Sequence, residues 1–575
     1  MPATIAERRW VVSPAPDNAA VERLSQALRL PAALCRLLVQ RGYGDADAAR
    51  GFLRPAAAHI HPPAGLAGMG DAVARLRKAI DGREIILVHG DYDVDGICAT
   101  ALYVRALRMM GAVALPFVPH RVQDGYDLAD AGIRAAAEMG ASLILTGDCG
   151  IVAHDSVDRA RAAGVDVIVT DHHTPGDTLP AAVAVVNPNR ADCGYAYKGL
   201  AGVGVAYKVC CALAEDIGFP LERLHGFLDL VAIATIADVA PLSGENRALV
   251  RWGLKVLQQT PNPGLRALLR VTGLADKGEL TSTQVAFQLA PRINAVGRMG
   301  EAQRGVKLLL TDDEGEAMQI AQSLEDDNRW RQTVEGDTLK QALAALEIGF
   351  DADRDRGVVL SGEGWHPGVI GIVASRMVER LHRPVVMIAM GEDGEGKGSA
   401  RSTSRFHLYD AMRDCSAHLV RFGGHKVAAG CSIRRENVDA FRDAFNARAR
   451  ALLSDDDLVP EVRIDTEIEL HHADLDLVRM LRHAGPFGAG NATPVFAARG
   501  VAVVGSPRIV GKGHLKVTLG AFGSRIDAIG FGMAEHAAEP WFGRQLMDVA
   551  FKLEENTYNG RTSVQARLVD LRPAG

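Results

Sequence analysis

The chain has 575 residues with 48% hydrophobic and 23% charged side chains and a net charge of −6. That length predicts three or four domains, and the balance excludes a disordered or fibrous chain. No apolar run approaches the roughly 18 residues of a membrane span, the start lacks a signal-peptide pattern, and the eight cysteines include no CxxC pair, so a cytoplasmic protein without a cysteine zinc cluster or membrane contact is expected.

Residues 1–70 read as an N-terminal helical segment. Over 71–300, short β-branched runs at 85–89, 143–146, 165–170 and 182–186 alternate with Ala-rich helical stretches. This alternation predicts buried parallel strands with helices on both faces. An apolar helix follows near residue 230. Residues 301–350 read as a long connecting helix, broken at most near Gly336. Strand, helix and strand resume over 351–452, and an acidic linker follows. Short strands and glycine turns over 460–575 predict a small β-barrel. The expected fold class is α/β, with two lobes joined by a long helix and a C-terminal barrel.

The densest chemistry is HGDYDVDG, His89 to Gly96, at the carboxyl end of the first strand, where open parallel sheets hold their ligands. Three acids and a histidine so close together repel unless cations neutralise them. TGDCGI sets Asp148 at the end of another strand, and TDHHTPG sets Asp171, His172 and His173 at the end of the next. Asp238 follows the apolar helix. Each position alone has a structural reading, as a helix cap or a hydrogen-bonded core histidine, but the same geometry recurs four times. Oxygen and imidazole ligands suit Mn²⁺ or Mg²⁺. Two such ions sharing a carboxylate would activate water for phosphoester hydrolysis.

In this order and spacing HGDYDVDG, TGDCGI, TDHH and TIADVAPL resemble the four metal motifs of the DHH phosphoesterase superfamily. The resemblance implies one ion on His89, Asp93 and Asp148, and a second on Asp95, Asp148, His172 and Asp238, with Asp148 bridging. It implies that Asp171 orients His172 from behind and that His173 faces the substrate phosphate. Asp91 lies off the pattern and is a supporting group. PHRVQDGYDL, LAPRINAVGRMG, GWHPGVIGIVASR, GKGSARS and RFGGHKVAAG extend the likeness, from about Arg83 to the C-terminus, to bacterial 5′ to 3′ exonucleases specific for single-stranded DNA. That branch carries DHH and DHHA1 domains and an OB-fold barrel.

The same branch implies that Arg121, Ser399 and Arg401 bind a 5′-phosphate, and that His425 contacts the scissile phosphate. Arg292, Asn294 and Arg298 would grip the DNA backbone, with helix capping as their structural reading. A strand threading between two lobes, release of 5′-mononucleotides, and a role in repair and recombination follow. Single-strand binding protein and a RecQ-type helicase are the implied partners of a monomer. Locally the charge agrees: residues 395–426 hold six Lys or Arg against three acids, and 499–572 ten against seven.

Aromatic residues total only 5%, and Tyr126, Phe406 and Tyr409 are candidates for base stacking. Gly202-Val203-Gly204 reads as close packing at a helix start rather than a nucleotide loop. The chain departs from the family pattern at Val94, where alanine is common, and at Asp127, where glycine is expected. A phosphodiesterase of short oligonucleotides or cyclic dinucleotides would lack the barrel. A catalytically dead scaffold would lose ligands, and all six are present.

Overall fold

The structure is a computed structural model describing residues 8–120, 124, 127–299, 301–558 and 560–575. Its contacts define two units that are not collinear with the sequence. One comprises Pro14–Asn328 and His472–Pro494, the other Met1–Ser13, Arg329–His471 and Val495–Gly575.

The chain opens on strand β1 (Arg9–Val12) of the second unit. It then enters the first through helices α1 (Asn18–Leu28), α2 (Ala32–Gln40), α3 (Ala46–Leu53) and α4 (Met69–Asp81). A buried ion pair between Lys208 and Glu245 anchors the stretch before α4. Lys208 Nζ donates to the His61 carbonyl at 2.6 Å and Tyr195 OH donates to Glu245 at 2.7 Å, so the two buried charges are also hydrogen-bonded.

The centre of this unit is a parallel five-stranded sheet in the order β3-β2-β4-β5-β6. Its strands are β2 (Ile85–Gly90), β3 (Val113–Phe117), β4 (Leu143–Gly147), β5 (Asp166–Thr170) and β6 (Ala184–Val186). Helices α5 (Val94–Met109), α6 (Asp130–Glu138) and α7 (His154–Ala162) make the crossovers. Side chains alternate along β2: Ile86 and Val88 enter one core with Leu102, and Leu87 the other with Ala136 and Val157. Strand β3, which the sequence pattern does not reveal, contains Pro116 and pairs only with β2. An edge is where a strand tolerates a residue without an N–H.

Helices α8 (Gly202–Ile217), α9 (Leu228–Ala237), α10 (Gly244–Gln258) and α11 (Pro263–Val271) complete the core. A further helical run comprises α12 (Ser282–Gln284), a π-helical turn (Val285–Leu289) and α13 (Ala290–Met299). The expected connector is two helices, α14 (Ala302–Leu310) and α15 (Glu314–Gly349). Its break falls at 311–313 and not at Gly336, which stays helical.

In the second unit β7 (Val358–Glu363), α16 (Ile370–Leu381), β8 (Val385–Met390), β9 (Glu395–Arg401), α17 (Leu408–Asp414), β10 (Arg421–Gly424), β11 (Ala428–Arg434) and α18 (Val438–Leu452) form a second α/β layer. The sheet order is β10-β11-β9-β8-β7, with only β7 and β8 parallel. Phe406 is buried against Phe445 and is no open stacking platform; Tyr409 is half-buried beside Phe422, and Tyr126 lies outside the described residues.

Strand β12 (Glu461–Ile464) pairs in parallel with β1. After β13 (Thr466–Glu467) the chain visits the first unit through α19 (Leu475–Ala484). It returns as β14 (Phe496–Val510), β15 (His514–Ala521), β16 (Ser524–Gly530), β17 (Met547–Tyr558) and β18 (Arg561–Pro573). Pairing of β14 with both β15 and β17 closes these strands into a barrel consistent with an OB fold.

Candidate metal centre

Strand β2 stops at Gly90, and Asp93 caps α5 by accepting from the amides of Asp95 at 2.9 Å and Gly96 at 3.1 Å. Gly96 is required here, because a Cβ would lie 2.3 Å from the Asp91 amide nitrogen. The Asp95 carboxylate reaches across to the start of α8 and accepts from the amides of Gly202 at 2.7 Å and Val203 at 2.8 Å. The positive end of that helix holds the anion in place. A Cβ at Gly202 would sit 2.5 Å from the Asp148 Cβ. Close packing, expected at this glycine, thus serves two acids at once.

Asp148 follows β4 with φ +68°, a left-handed conformation uncommon outside glycine. Its Oδ1 lies 3.1 Å from His172 Nε2, and His172 Nε2 lies 3.7 Å from Asp238 and 3.8 Å from Asp95. Ligand atoms gather in three overlapping clusters, each within 4.8 Å: Asp95, His172 and Asp238; Asp148, His172 and His173; Asp91, Asp93 and Asp148. Asp148 and His172 each occur in two. Both Asp148 Oδ1 and His172 Nε2 are buried and make no hydrogen bond among the described residues. Orphaned acceptors that converge at this spacing in a set of carboxylates and imidazoles fit hard divalent cations.

The electrostatics agree. Burial, followed by the charges of Asp238 and Asp93, pushes the Asp95 carboxyl well above the usual range. Burial and then Asp95 do the same to Asp148, and burial and Asp93 raise Asp238 to about 7. Burial, reinforced by His173, lowers His172 to about 4. These acids, most of them buried, repel one another, and bound cations would invert that.

His89 lies outside the three clusters, although its Nε2 is also buried without a hydrogen bond among the described residues. It continues the alternation of β2 onto the face of Leu87, where its ring meets Phe117 at 5.2 Å and its Nδ1 lies 3.6 Å from the Cys149 sulfur. Asp91, beyond the strand end, lies with Asp93 and Asp148 in one of the clusters. Asp171 accepts from His173 Nδ1 at 2.7 Å and gives His172 only a backbone contact. It therefore orients His173, whose ring lies 3.8 Å from Asp148. Burial alone would lower His173, but the Asp171 hydrogen bond and charge outweigh it and raise the ring to about 9.

A cavity of about 340 Å³ opens onto Asp91, Asp93, Asp95 and Asp238, with Asn294 and Arg298 from α13 on its wall. Asn294 accepts from the Val94 amide at 3.3 Å, the capping role. Arg292 is engaged by Glu325 at 2.7 Å and by the Gln288 carbonyl. A larger groove of about 490 Å³ beside α4 is lined by Arg77, Glu215 and Asp216 and offers no comparable ligand cluster among the described residues. Asp127 has φ +75°, which explains why glycine is the expected residue there.

In the second unit Arg401 Nη1 donates to Ser399 Oγ at 3.1 Å. Both side chains face the start of α16, where a Cβ at Gly371 would lie 2.9 Å from that hydroxyl and 3.0 Å from Arg401. His425 is exposed on the turn between β10 and β11. Arg121 lies outside the described residues.

Three family models match in chain order: the DHH family N-terminal domain over residues 85–235, the DHHA1 domain over 354–451 and the RecJ OB domain over 464–570. The single-stranded-DNA-specific exonuclease RecJ of Dickeya dadantii is 39% identical over 95% of this chain and 96% of its own length. That of Bacillus subtilis is 35% identical over 98% of this chain and 71% of its own length. The crystal structure of Thermus thermophilus RecJ in complex with Mn²⁺ has a TM-score of 0.84 at 34% identity, covering 99% of this chain and 80% of that one. With all three domains matched and identity sustained over nearly the whole sequence, this chain belongs to the RecJ family of the DHH phosphoesterases.

Proposed function

We propose that this chain is a metal-dependent exonuclease specific for single-stranded DNA, degrading it from the 5′ end to 5′-mononucleotides. The observation that carries the reading is the convergence of Asp148 Oδ1 and His172 Nε2, both buried and unsatisfied, among four further carboxylates. Asp91, Asp93 and Asp148 would hold one divalent ion, Mn²⁺ or Mg²⁺, and Asp95, Asp148, His172 and Asp238 the other. When bound, such ions polarise a phosphoryl oxygen and lower the pKa of water.

The chain's own residues set the rest. Backbone amides at the start of α8 fix the Asp95 carboxylate, and the left-handed turn at Asp148 aims its oxygen at both clusters. Asp171 holds the proton on His173 Nδ1, so the other ring nitrogen is presented to a phosphate oxygen. Ser399, Arg401 and Arg121 would clamp the terminal phosphate, His425 would touch the scissile one, and Asn294 and Arg298 would line the strand's path. Arg292 is better read as fixing α13 through Glu325. The barrel adds single-strand affinity. A helicase of the RecQ type and single-strand binding protein would supply substrate to a cytoplasmic monomer in repair and recombination; no described helix is long and apolar enough to cross a membrane.

The test is digestion of single strands blocked at the 5′ or 3′ end, and of blunt duplex, with Mn²⁺ or Mg²⁺. Loss of the 3′-blocked strand alone is expected. Degradation of the 5′-blocked strand alone would overturn the polarity, and equal degradation of duplex would overturn the specificity. Asp148→Ala should abolish cleavage while strand binding stays measurable.

A further inference from the structure

The helical run leading into α13 contains an anomaly. Pro291 has no N–H to give to the carbonyl four residues earlier, Phe287, and its ring crowds that oxygen. The backbone widens accordingly: the Ala290 amide bonds to the Val285 carbonyl, five residues back, closing a π turn. Such turns are rare and concentrate at functional sites. Val285 and Leu289 remain buried in the core, so the widening projects the residue between them outward. Phe287 is 75% exposed.

Its position carries the inference. Phe287, Asn294 and Arg298 belong to one helical run whose buried side carries Val285, Leu289, Ile293 and Val296, and none of the three is in that buried set. Asn294 and Arg298 at one end of that run line the cavity over the acids. The seven positions from Phe287 to Asn294 rise about 10 Å. An exposed ring therefore stands on the same helical run as the cavity wall, a short step along the chain from it. Single-strand channels combine cationic or polar walls with aromatic rings on which bases stack, and of the aromatic candidates from sequence in the second unit Phe406 is buried and Tyr409 half-buried.

We infer that Phe287 is a stacking platform for one nucleobase of the strand whose backbone passes Asn294 and Arg298. The inference rests on the nuclease reading, and adds to it a base contact that tolerates any sequence, since every base has a π face. It makes Phe287 a positioning residue, which holds the strand and leaves the reacting atoms alone.

The experiment measures steady-state cleavage of oligothymidylates carrying one abasic residue moved stepwise along the strand, by the unmodified protein and by Phe287→Ala, Phe287→Leu and Phe287→Trp. With the unmodified protein one position should stand out, its missing base raising KM about tenfold. Phe287→Ala should raise KM about tenfold on the intact strand with kcat unchanged, and should no longer distinguish that position. Phe287→Trp should restore the discrimination and Phe287→Leu should not. Thermal unfolding midpoints should coincide, because the ring is mostly in solvent. An intact-strand KM in Phe287→Ala equal to that of the unmodified protein, or a sensitive position that persists in it, overturns the inference. Absence of turnover by the unmodified protein on any single strand would instead overturn the nuclease reading.

Discussion

Asp171 makes four short hydrogen bonds, to the amides of Ile151, His172 and His173 and to His173 Nδ1. Burial works against its charge, yet those bonds and His173 hold its carboxyl below the usual range. Asp171→Asn keeps the shape and removes the charge that fixes the His173 proton, so kcat/KM should fall about 10- to 100-fold, an effect of the size seen when a site histidine loses the carboxylate that orients it. A fall of less than about twofold in steady-state kinetics would remove Asp171 from that role. Proton linkage gives a second test. Asp95 and Asp148 are raised well above their unfolded values and His173 to about 9. Each of these groups binds more protons folded than unfolded, so its stabilisation is complete below the unfolded pKa and is lost as pH rises through the folded one. His172 and His89, both lowered to about 4 by burial, are already neutral above pH 7 in either state and contribute no slope there. In chelator the melting temperature should therefore fall between pH 7 and 9, and Mn²⁺ should raise it more at pH 9 than at pH 7. A flat profile in chelator would contradict the raised His173 ring. The acids themselves are legible in sequence because each ends a strand or helix. The face that His89 takes is not, since one step of pleat decides it and HGDYDVDG does not say where the strand stops.

Two glycines show how the same residue acts differently within helices. Gly336 lies inside α15 with open space where a Cβ would be, so Gly336→Ala should stabilise by about 0.5–1 kcal/mol with activity unchanged. Gly202 opens α8 under Asp148, where a Cβ would meet the Asp148 Oδ1 at 2.6 Å as well as its Cβ. Gly202→Ala should displace the carboxylate and cut kcat by about 100-fold or more, as a 1 Å misplacement does. Denaturant melts and turnover on the two variants check the contrast; equal activity would mean that α8 shifts to absorb the methyl. The strands at 85–89, 143–146 and 165–170 are legible because buried parallel strands are continuous apolar runs. Strand β3 is hidden by Pro116. The connector breaks at Thr311-Asp312-Asp313, where Thr311 and Asp313 accept hydrogen bonds from the Asp313 and Glu316 amides at 3.2 and 2.6 Å. Such capping chemistry is a stronger stop than one glycine.

At the scale of the whole molecule, Trp10 of β1 sits on the barrel. Its indole donates to Asp570 at 2.6 Å, and the Arg572 guanidinium lies 4.2 Å from its ring centroid. Trp10→Ala should destabilise the second unit by about 2 kcal/mol, read as an earlier loss of barrel structure in denaturant; an unchanged midpoint would make the strand an ornament. No sequence pattern identifies this arrangement, because β1 and β12 are parallel neighbours joined through almost the entire chain. Arg9 bonds Asp456, 447 positions later. At roughly 5–20 residues per second of synthesis, the first strand must wait about 20 to 90 seconds for its mate. The excursion of His472–Pro494 adds the same interdependence at the other end. No single peptide-bond cut can liberate either unit as an intact piece, so a protease trimming this polypeptide would yield interlocked remnants held by folding instead of separable halves.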